Sequence, residues 1–143
     1  MEIRTYFSLP EEAKSIRITV FCEEQGFVEE FDDADNVAVH LVAFDGDTAI
    51  GTCRYYETEI TGCYLIGRIA VCRSYRGRGI GGMLVRAAEA QIVSRGGTRA
   101  HIGAQVRAMP FYESIGYTPV GERYMDEHVE HQGMEKELAK SEK

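Results

Sequence analysis

The chain has 143 residues and 16.0 kDa, enough for one domain with a continuous core. Its hydrophobic fraction of 44% and charged fraction of 27% are those of a soluble globular protein, and no apolar run reaches the 18 or so residues of a membrane span. The net charge of −7 argues against nucleic acid as a partner, since binding to phosphate backbones wants a broad basic face.

In chain order, EIRTYF alternates and predicts a first strand. SLPEEAKSIRITVFCEEQG then predicts a helix, with Ser8 as cap and Glu11 completing a capping box; Ala13, Ile16 and Val20 share its apolar face. CEEQGFVEEFDDAD follows with seven carboxylates between Glu23 and Asp35 and no clean period. It is a loop or short irregular helix, either merely solvated or a draw for a cationic substrate. From Val37 to Cys72, three β-rich runs are separated by Asp45-Gly46-Asp47 and by Thr61-Gly62, which predicts an antiparallel meander.

RSYRGRGIGG, residues 73–82, holds three arginines and four glycines; the helix from Gly79 to Arg95 follows and ends at Gly96-Gly97. RAHIGA is a buried strand, AMPFYESIG a short helix with Pro110 in its first turn, and YTPVGERYMDE and HQGMEKEL two closing strands. The tail KSEK is expected to fray. The order βαβββαβαββ gives an α/β, mixed α+β fold: an antiparallel N-terminal half, then a parallel, right-handed β-loop-α-β crossover from residue 64 to 104. Residues 1–143 form one domain in this reading.

Cys22, Cys53, Cys63 and Cys72 show no CxxC pair and no matching His spacing, which argues against a metal. They suit small core residues in a reducing, cytoplasmic compartment. MEIRTYFSLPEEAKSIR lacks the apolar core of a signal peptide.

A strand, a glycine-rich basic loop and a helix make an anion site. The P-loop pattern GxxxxGK[ST] fails, because no lysine lies between Ala49 and Met134. Gly77, Gly79 and Gly82 satisfy GxGxxG, but Cys72–Arg76 intervene after the strand and RAHIGAQ lacks the ribose-binding acid. The remaining pattern is Arg-x-x-Gly-x-Gly at Arg76, Gly79 and Gly81. It resembles the acyl-CoA-binding signature of the GNAT superfamily of N-acyltransferases. RIAVCRSYRGRGIGGMLV is similar to the central motif and AQVRAMPFYESIGY to the following tyrosine motif. VFCEEQGF…DDADNVAVHLVA and ERYMDEHVEHQGMEK resemble the small ElaA-like/YjcF-like branch.

The physics of the loop agrees. A helix N-terminus offers unpaired N–H groups and about half a positive charge to a pyrophosphate. Gly77, Gly79, Gly81 and Gly82 clear the way for backbone approach, Arg76 and Arg78 add charge, and Ile80 between the glycines is counted with them as cofactor-binding.

The resemblance implies acetyl-CoA as cosubstrate, with no metal. It also implies that the strand before the loop splays from its parallel neighbour, so that backbone near Ile69, Ala70 and Val71 pairs with the pantetheine arm. One N–H there would face the thioester oxygen. Gly67 and Gly103 suit such an opening. Tyr112 matches the motif tyrosine and is the candidate general acid for the leaving thiolate; the alternative is that it packs, as Phe111 and Tyr117 are expected to. Gln105 stands where many relatives carry a cofactor-contacting asparagine.

Freeing the proton of an amine with a pKa near 10 at pH 7 costs about 4 kcal/mol, so a base is needed. Glu24, Asp35, His40 and His131 are candidates, with Glu24 and His131 first and His40 read as structural. The activity implied is acetyl transfer to a primary amine of a small cationic metabolite. The alternatives are a protein-lysine acetyltransferase and a non-catalytic acyl-CoA sensor. A homodimer is a family expectation.

Overall fold

The computed structural model describes residues 1–28 and 30–138. The KSEK tail lies outside them. Two compact units divide the chain: Met1–Tyr56 with Ile66–Ala88, and Glu57–Leu65 with the residues from Glu89 onward.

In the first unit, β1 (Glu2–Tyr6) runs antiparallel to β2 (Val39–Asp45), pairing Glu2 with Phe44 and Tyr6 with His40. β2 pairs antiparallel with β3 (Thr48–Glu57), with a bulge between Ala43 and Phe44. The Asp-Gly signal between them is a hairpin turn, Gly46 taking φ +62°. Next to β3 lies β4 (Cys63–Val71), whose residues from Ile66 belong to this unit.

The first helix departs from the sequence reading. α1 (Glu11–Arg17) starts after Pro10, with no side-chain cap, so Ser8 is not its N-cap. Glu11 and Glu12 face the positive end of the helix instead. The chain then widens into a π-helical segment, Ile18–Glu24, closed by Phe27 N–H donating to the Phe21 carbonyl at 2.8 Å. Ala13, Ile16 and Val20 are buried as the periodicity predicts, Ala13 against Val42 and Phe44, and Ile16 and Val20 around Ala70. A capping box does exist further on. Asp32 and Asp35 close one over the 3-10 turn Asp33–Asn36.

α2 (Ile80–Ser94) spans the boundary between the units; Ile80, Leu84, Val85, Ala88 and Ile92 are its buried stripe. In the second unit the start of β4 pairs in parallel with β5 (Arg99–Gln105), Cys63 with Arg99 through Leu65 with His101. α3 (Met109–Ser114) follows, carrying Pro110 in its first turn. YTPVGERYMDE is not one strand but two short ones, β6 (Thr118–Pro119) and β7 (Tyr124–Asp126), split at Gly121, where φ is +71°. Both pair antiparallel with β8 (Val129–Glu137), which is itself antiparallel to β5. The fold is thus mixed α/β, largely antiparallel, with β4–β5 as the parallel pair.

Candidate active site

In the first unit, β4 leads through a 3-10 turn at Arg73–Tyr75 into α2. Gly77 and Gly79 hold φ of +80° and +77°, a region where other residues are strained, and a Cβ at either would meet open space. The glycines serve backbone conformation, and they leave the approach to the helix N-terminus open. By helix geometry the first four N–H groups of α2 have no acceptor within the helix.

The loop arginines are already held. Arg76 donates through Nε to the Val71 carbonyl at 2.8 Å and through Nη2 to Glu24 Oε1 at 2.7 Å. Arg73 Nη2 lies 3.8 Å from the same carboxylate oxygen. The hydrogen bond from Arg76 keeps the Glu24 carboxyl below the usual carboxylate range. Arg78 lies over the Tyr75 ring, 5.0 Å from its centroid, and Tyr75 donates its hydroxyl to Asp45 Oδ2 at 3.0 Å. Sequence reasoning missed Tyr75 and Asp45 as supports, since thirty positions separate them.

β4 carries a backbone outlier. Arg68 has φ +51°, left-handed for a residue with a side chain, at a cost of about 1–2 kcal/mol. The neighbouring Gly67, singled out on sequence, is not the residue that takes this conformation. Ile69, Ala70 and Val71 follow directly. The parallel ladder ends at Leu65 and His101, although β4 continues to Val71 and β5 to Gln105.

Two acids of the acidic segment, Glu30 and Asp35, are buried in this unit. Arg17, 1% exposed, donates to Glu30 Oε2 at 2.9 Å and to Asp35 Oδ1 at 2.8 Å. Arg54 donates to Asp32 Oδ1 at 2.6 Å and Asp35 Oδ1 at 2.8 Å, and Arg68 sits 3.0 Å from Glu30 Oε2. Burial works against the charged form of Asp35, but Arg17 and Arg54 together outweigh it and set its pKa far below the ordinary value. For Glu30, burial outweighs Arg68 and Arg17 and raises the pKa. Asp35, one of the candidate bases, is therefore committed to structure. So is His40, buried in β2, whose Nε2 donates to the Asp35 carbonyl at 3.1 Å.

The remaining candidates belong to the second unit. Tyr112, 8% exposed on α3, meets Phe111 and Tyr117 edge-on with centroids 5.0 and 6.3 Å away. Tyr117 donates its hydroxyl to Glu89 Oε2 at 2.6 Å, a packing role as expected. His131 is buried on β8, in register with Gln105 on β5 and Tyr124 on β7. Its Nδ1 lies 3.0 Å from the Val129 carbonyl, which only accepts, so Nδ1 carries a hydrogen. Tyr124 stacks on the imidazole, with centroids 5.6 Å apart and an interplanar angle of 26°. The Tyr124 hydroxyl seats over Gly103; a Cβ there would be 2.5 Å from the oxygen. Gly103, read on sequence as part of the sheet opening, is thus where a phenol reaches the backbone. Tyr124 itself was missed, although a glycine inside a strand signals such an approach. Gln105 accepts from Arg107 Nε at 3.0 Å.

The family described as "Acetyltransferase (GNAT) domain" matches residues 10–138. The chain belongs to the GNAT acetyltransferase family. Its activity class is accordingly acyl transfer. Among its relatives is the uncharacterized N-acetyltransferase YjcF of Bacillus subtilis, 32% identical over 125 residues, 85% of this chain and 88% of YjcF. Protein ElaA of Escherichia coli is 27% identical over 128 residues, 86% of this chain and 84% of ElaA. Both agree with the ElaA-like/YjcF-like branch. The crystal structure of ElaA superposes with a TM-score of 0.84 at 23% identity, covering 94% of this chain and 98% of that one. An acyl-CoA N-acyltransferase from Pseudomonas aeruginosa gives 0.80 at 24%, covering 95% and 99%. Likeness to these two structures is one of fold. Among the described residues no cluster of His, Cys, Asp and Glu could hold a metal, and no helix is long and apolar enough to cross a membrane.

Proposed function

We propose that the whole chain, residues 1–143, is one catalytic domain that moves an acetyl group from acetyl-CoA to a primary amine by direct attack on the thioester. The observation that carries this is the loop: Gly77 and Gly79 in left-handed conformation before α2, with Arg76 and Arg78 already held. In this reading Arg76, Gly77, Arg78, Gly79, Ile80, Gly81 and Gly82 take the pyrophosphate and adjacent phosphate. The backbone of Ile69, Ala70 and Val71 pairs with the pantetheine arm, and one of its N–H groups faces the thioester oxygen. Gln105, whose Oε1 accepts from Arg107, is a further cofactor contact through its side-chain amide.

Tyr112 is the proposed general acid. A thiol titrates near 8.5 and a phenol near 10, so a positioned tyrosine can give its proton to a departing thiolate at modest cost. His131 is the proposed base: the Val129 carbonyl holds its Nδ1 as a donor and Tyr124 stacks on the ring, which orients the imidazole. Glu24 was its equal on sequence. As the counter-ion of Arg76, with its carboxyl held low, it suits a support of the phosphate loop better than a base.

The acceptor is a primary amine, and a small cationic metabolite is the class to try first. The acidic segment no longer supports that class, since Glu30, Asp32 and Asp35 are matched by Arg17, Arg54 and Arg68. A reducing, cytoplasmic setting belongs to the same reading. Sedimentation would read the homodimer that the resemblance implies.

The test is release of free thiol from acetyl-CoA with a panel of polyamines, amino sugars, aminoglycosides, amino acids and a lysine peptide, with Tyr112→Phe beside it. Release that depends on one amine class and falls about 100-fold in the variant supports the reading. Release only with the peptide moves the acceptor to protein lysine. Acetyl-CoA binding without release from any amine, unchanged in the variant, describes a sensor.

A further inference from the structure

Arg68 joins two features that the acetyl-transfer reading leaves unconnected: the left-handed kink in β4 and the arginine–carboxylate network of the acidic segment. A positive φ at a residue with a side chain persists only where its surroundings hold it. The restraint here is the residue's own guanidinium. Nε and Nη2 of Arg68 donate to the Glu30 carbonyl at 3.2 and 3.0 Å, and the same group pairs with Glu30 Oε2 at 3.0 Å and Asp32 Oδ2 at 3.4 Å. Those partners are fixed in turn. Glu30 is gripped by buried Arg17, and Asp32 by buried Arg54 and by its capping box with Asp35.

Arg17, Arg54 and the residues from Glu30 to Asp35 therefore form a rigid clamp in the first unit, and Arg68 is the arm that reaches from it to β4. The kink falls three residues after the last parallel pair, Leu65 with His101, and immediately before Ile69–Val71. A glycine at 68 would give the same φ without strain. An arginine there makes sense if the side chain contributes something that φ alone does not.

We infer that Arg68 is a positioning residue for acetyl transfer: its guanidinium, clamped by Glu30 and Asp32, fixes the backbone of Ile69–Val71 in the conformation that accepts the cosubstrate arm. This rests on the proposed use of that backbone for acetyl-CoA. The carboxylates of the acidic segment are then parts of the cosubstrate site, acting through Arg68, rather than an attraction for the acceptor.

Arg68→Gly, Arg68→Lys and Asp32→Asn test it. In ligand-free protein, amide hydrogen exchange of Ile69–Val71 should accelerate about tenfold in Arg68→Gly, though glycine relieves the strain. The KM for acetyl-CoA should rise on the order of tenfold and kcat should fall with it, because one N–H of that backbone is proposed to face the thioester oxygen, while the amine KM stays within about twofold. Arg68→Lys, which keeps the cation, should recover part of both effects, and Asp32→Asn should show a smaller version of them. Wild-type exchange at Ile69–Val71 together with a wild-type acetyl-CoA KM in Arg68→Gly would overturn the inference, whatever the melting temperature does. If Arg68→Gly does not fold, Arg68→Lys and Asp32→Asn decide, and an unchanged exchange rate and KM in both overturn it. Calorimetry of wild-type protein with acetyl-CoA keeps the two readings apart. Absence of binding there removes the proposed function, while the exchange arm still reports on whether the clamp fixes the kink.

Discussion

Glu24 and Arg76, fifty-two positions apart, form a direct ion pair, with Arg76 Nη2 at 2.7 Å from Glu24 Oε1. If Arg76 takes a phosphate as proposed, the carboxylate competes for its guanidinium edge, while the bond from Nε to the Val71 carbonyl holds the arginine in place. Glu24→Gln should therefore tighten acetyl-CoA binding about three- to fivefold, by removing a competing charge and keeping the hydrogen-bond partner. It should leave kcat within about twofold. A base at Glu24 would instead lose about 100-fold or more in kcat. Calorimetry and thiol-release kinetics on the one variant separate these outcomes.

Gly103→Ala should displace Tyr124 from its seat, because the added methyl would meet the hydroxyl at 2.5 Å. The stack on His131 then loosens. The expected result is a kcat about tenfold lower with the acetyl-CoA Kd unchanged, read by kinetics and calorimetry together. A kcat equal to wild type would remove Tyr124 and its stacking from the account of His131.

Arg17→Met should destabilise the protein by about 3 kcal/mol or more, since Glu30 and Asp35 lose a buried partner. Urea unfolding at pH 7 reads this directly. A loss below about 1 kcal/mol would mean that the pairs behave as solvated surface ions.

His40 gives stability a pH dependence. Burial lowers its pKa, and its Nδ1 is buried with no hydrogen-bond partner, so the imidazolium has nowhere to place a second proton. A cation-forming group with a depressed folded pKa binds protons more readily when unfolded. Its contribution is fully present above the unfolded value near 6.5 and is lost as pH falls from there toward the folded value. The urea midpoint should thus fall between pH 7 and pH 5 in the wild type, and His40→Asn should flatten that slope. An identical slope in both proteins would assign the effect to other groups.

Much of the sheet was legible in the sequence because period and turn chemistry are local. The Asp45-Gly46-Asp47 hairpin, the stripe of α2 and Pro110 at the start of α3 all follow from residues a few positions apart. The glycine-arginine loop was legible for the same reason. What sequence hid is long-range. Arg17 meets Glu30 and Asp35 thirteen and eighteen positions away, and Arg54 meets Asp32 at twenty-two, so three carboxylates of a segment that reads as loose acidic loop are tied into an arginine network. The helix start at Pro10 rather than Ser8, and the π-helical continuation, reflect tertiary packing of Ile16 and Val20 overriding a local capping signal. Nothing in the letters GRIAV marks Arg68 as left-handed.

The loop from Arg76 to Gly82 is proposed to hold the pyrophosphate of acetyl-CoA, and calorimetric titration of acetyl-CoA into wild type and Gly79→Val is the decisive experiment. Gly79 has φ +77° and open space around it, so valine strains the loop and blocks the backbone approach without touching the core. The wild type should bind with a Kd in the micromolar range, and the variant should lose at least about 30-fold, equivalent to about 2 kcal/mol. Equal binding by both proteins, or no binding by the wild type, would contradict it.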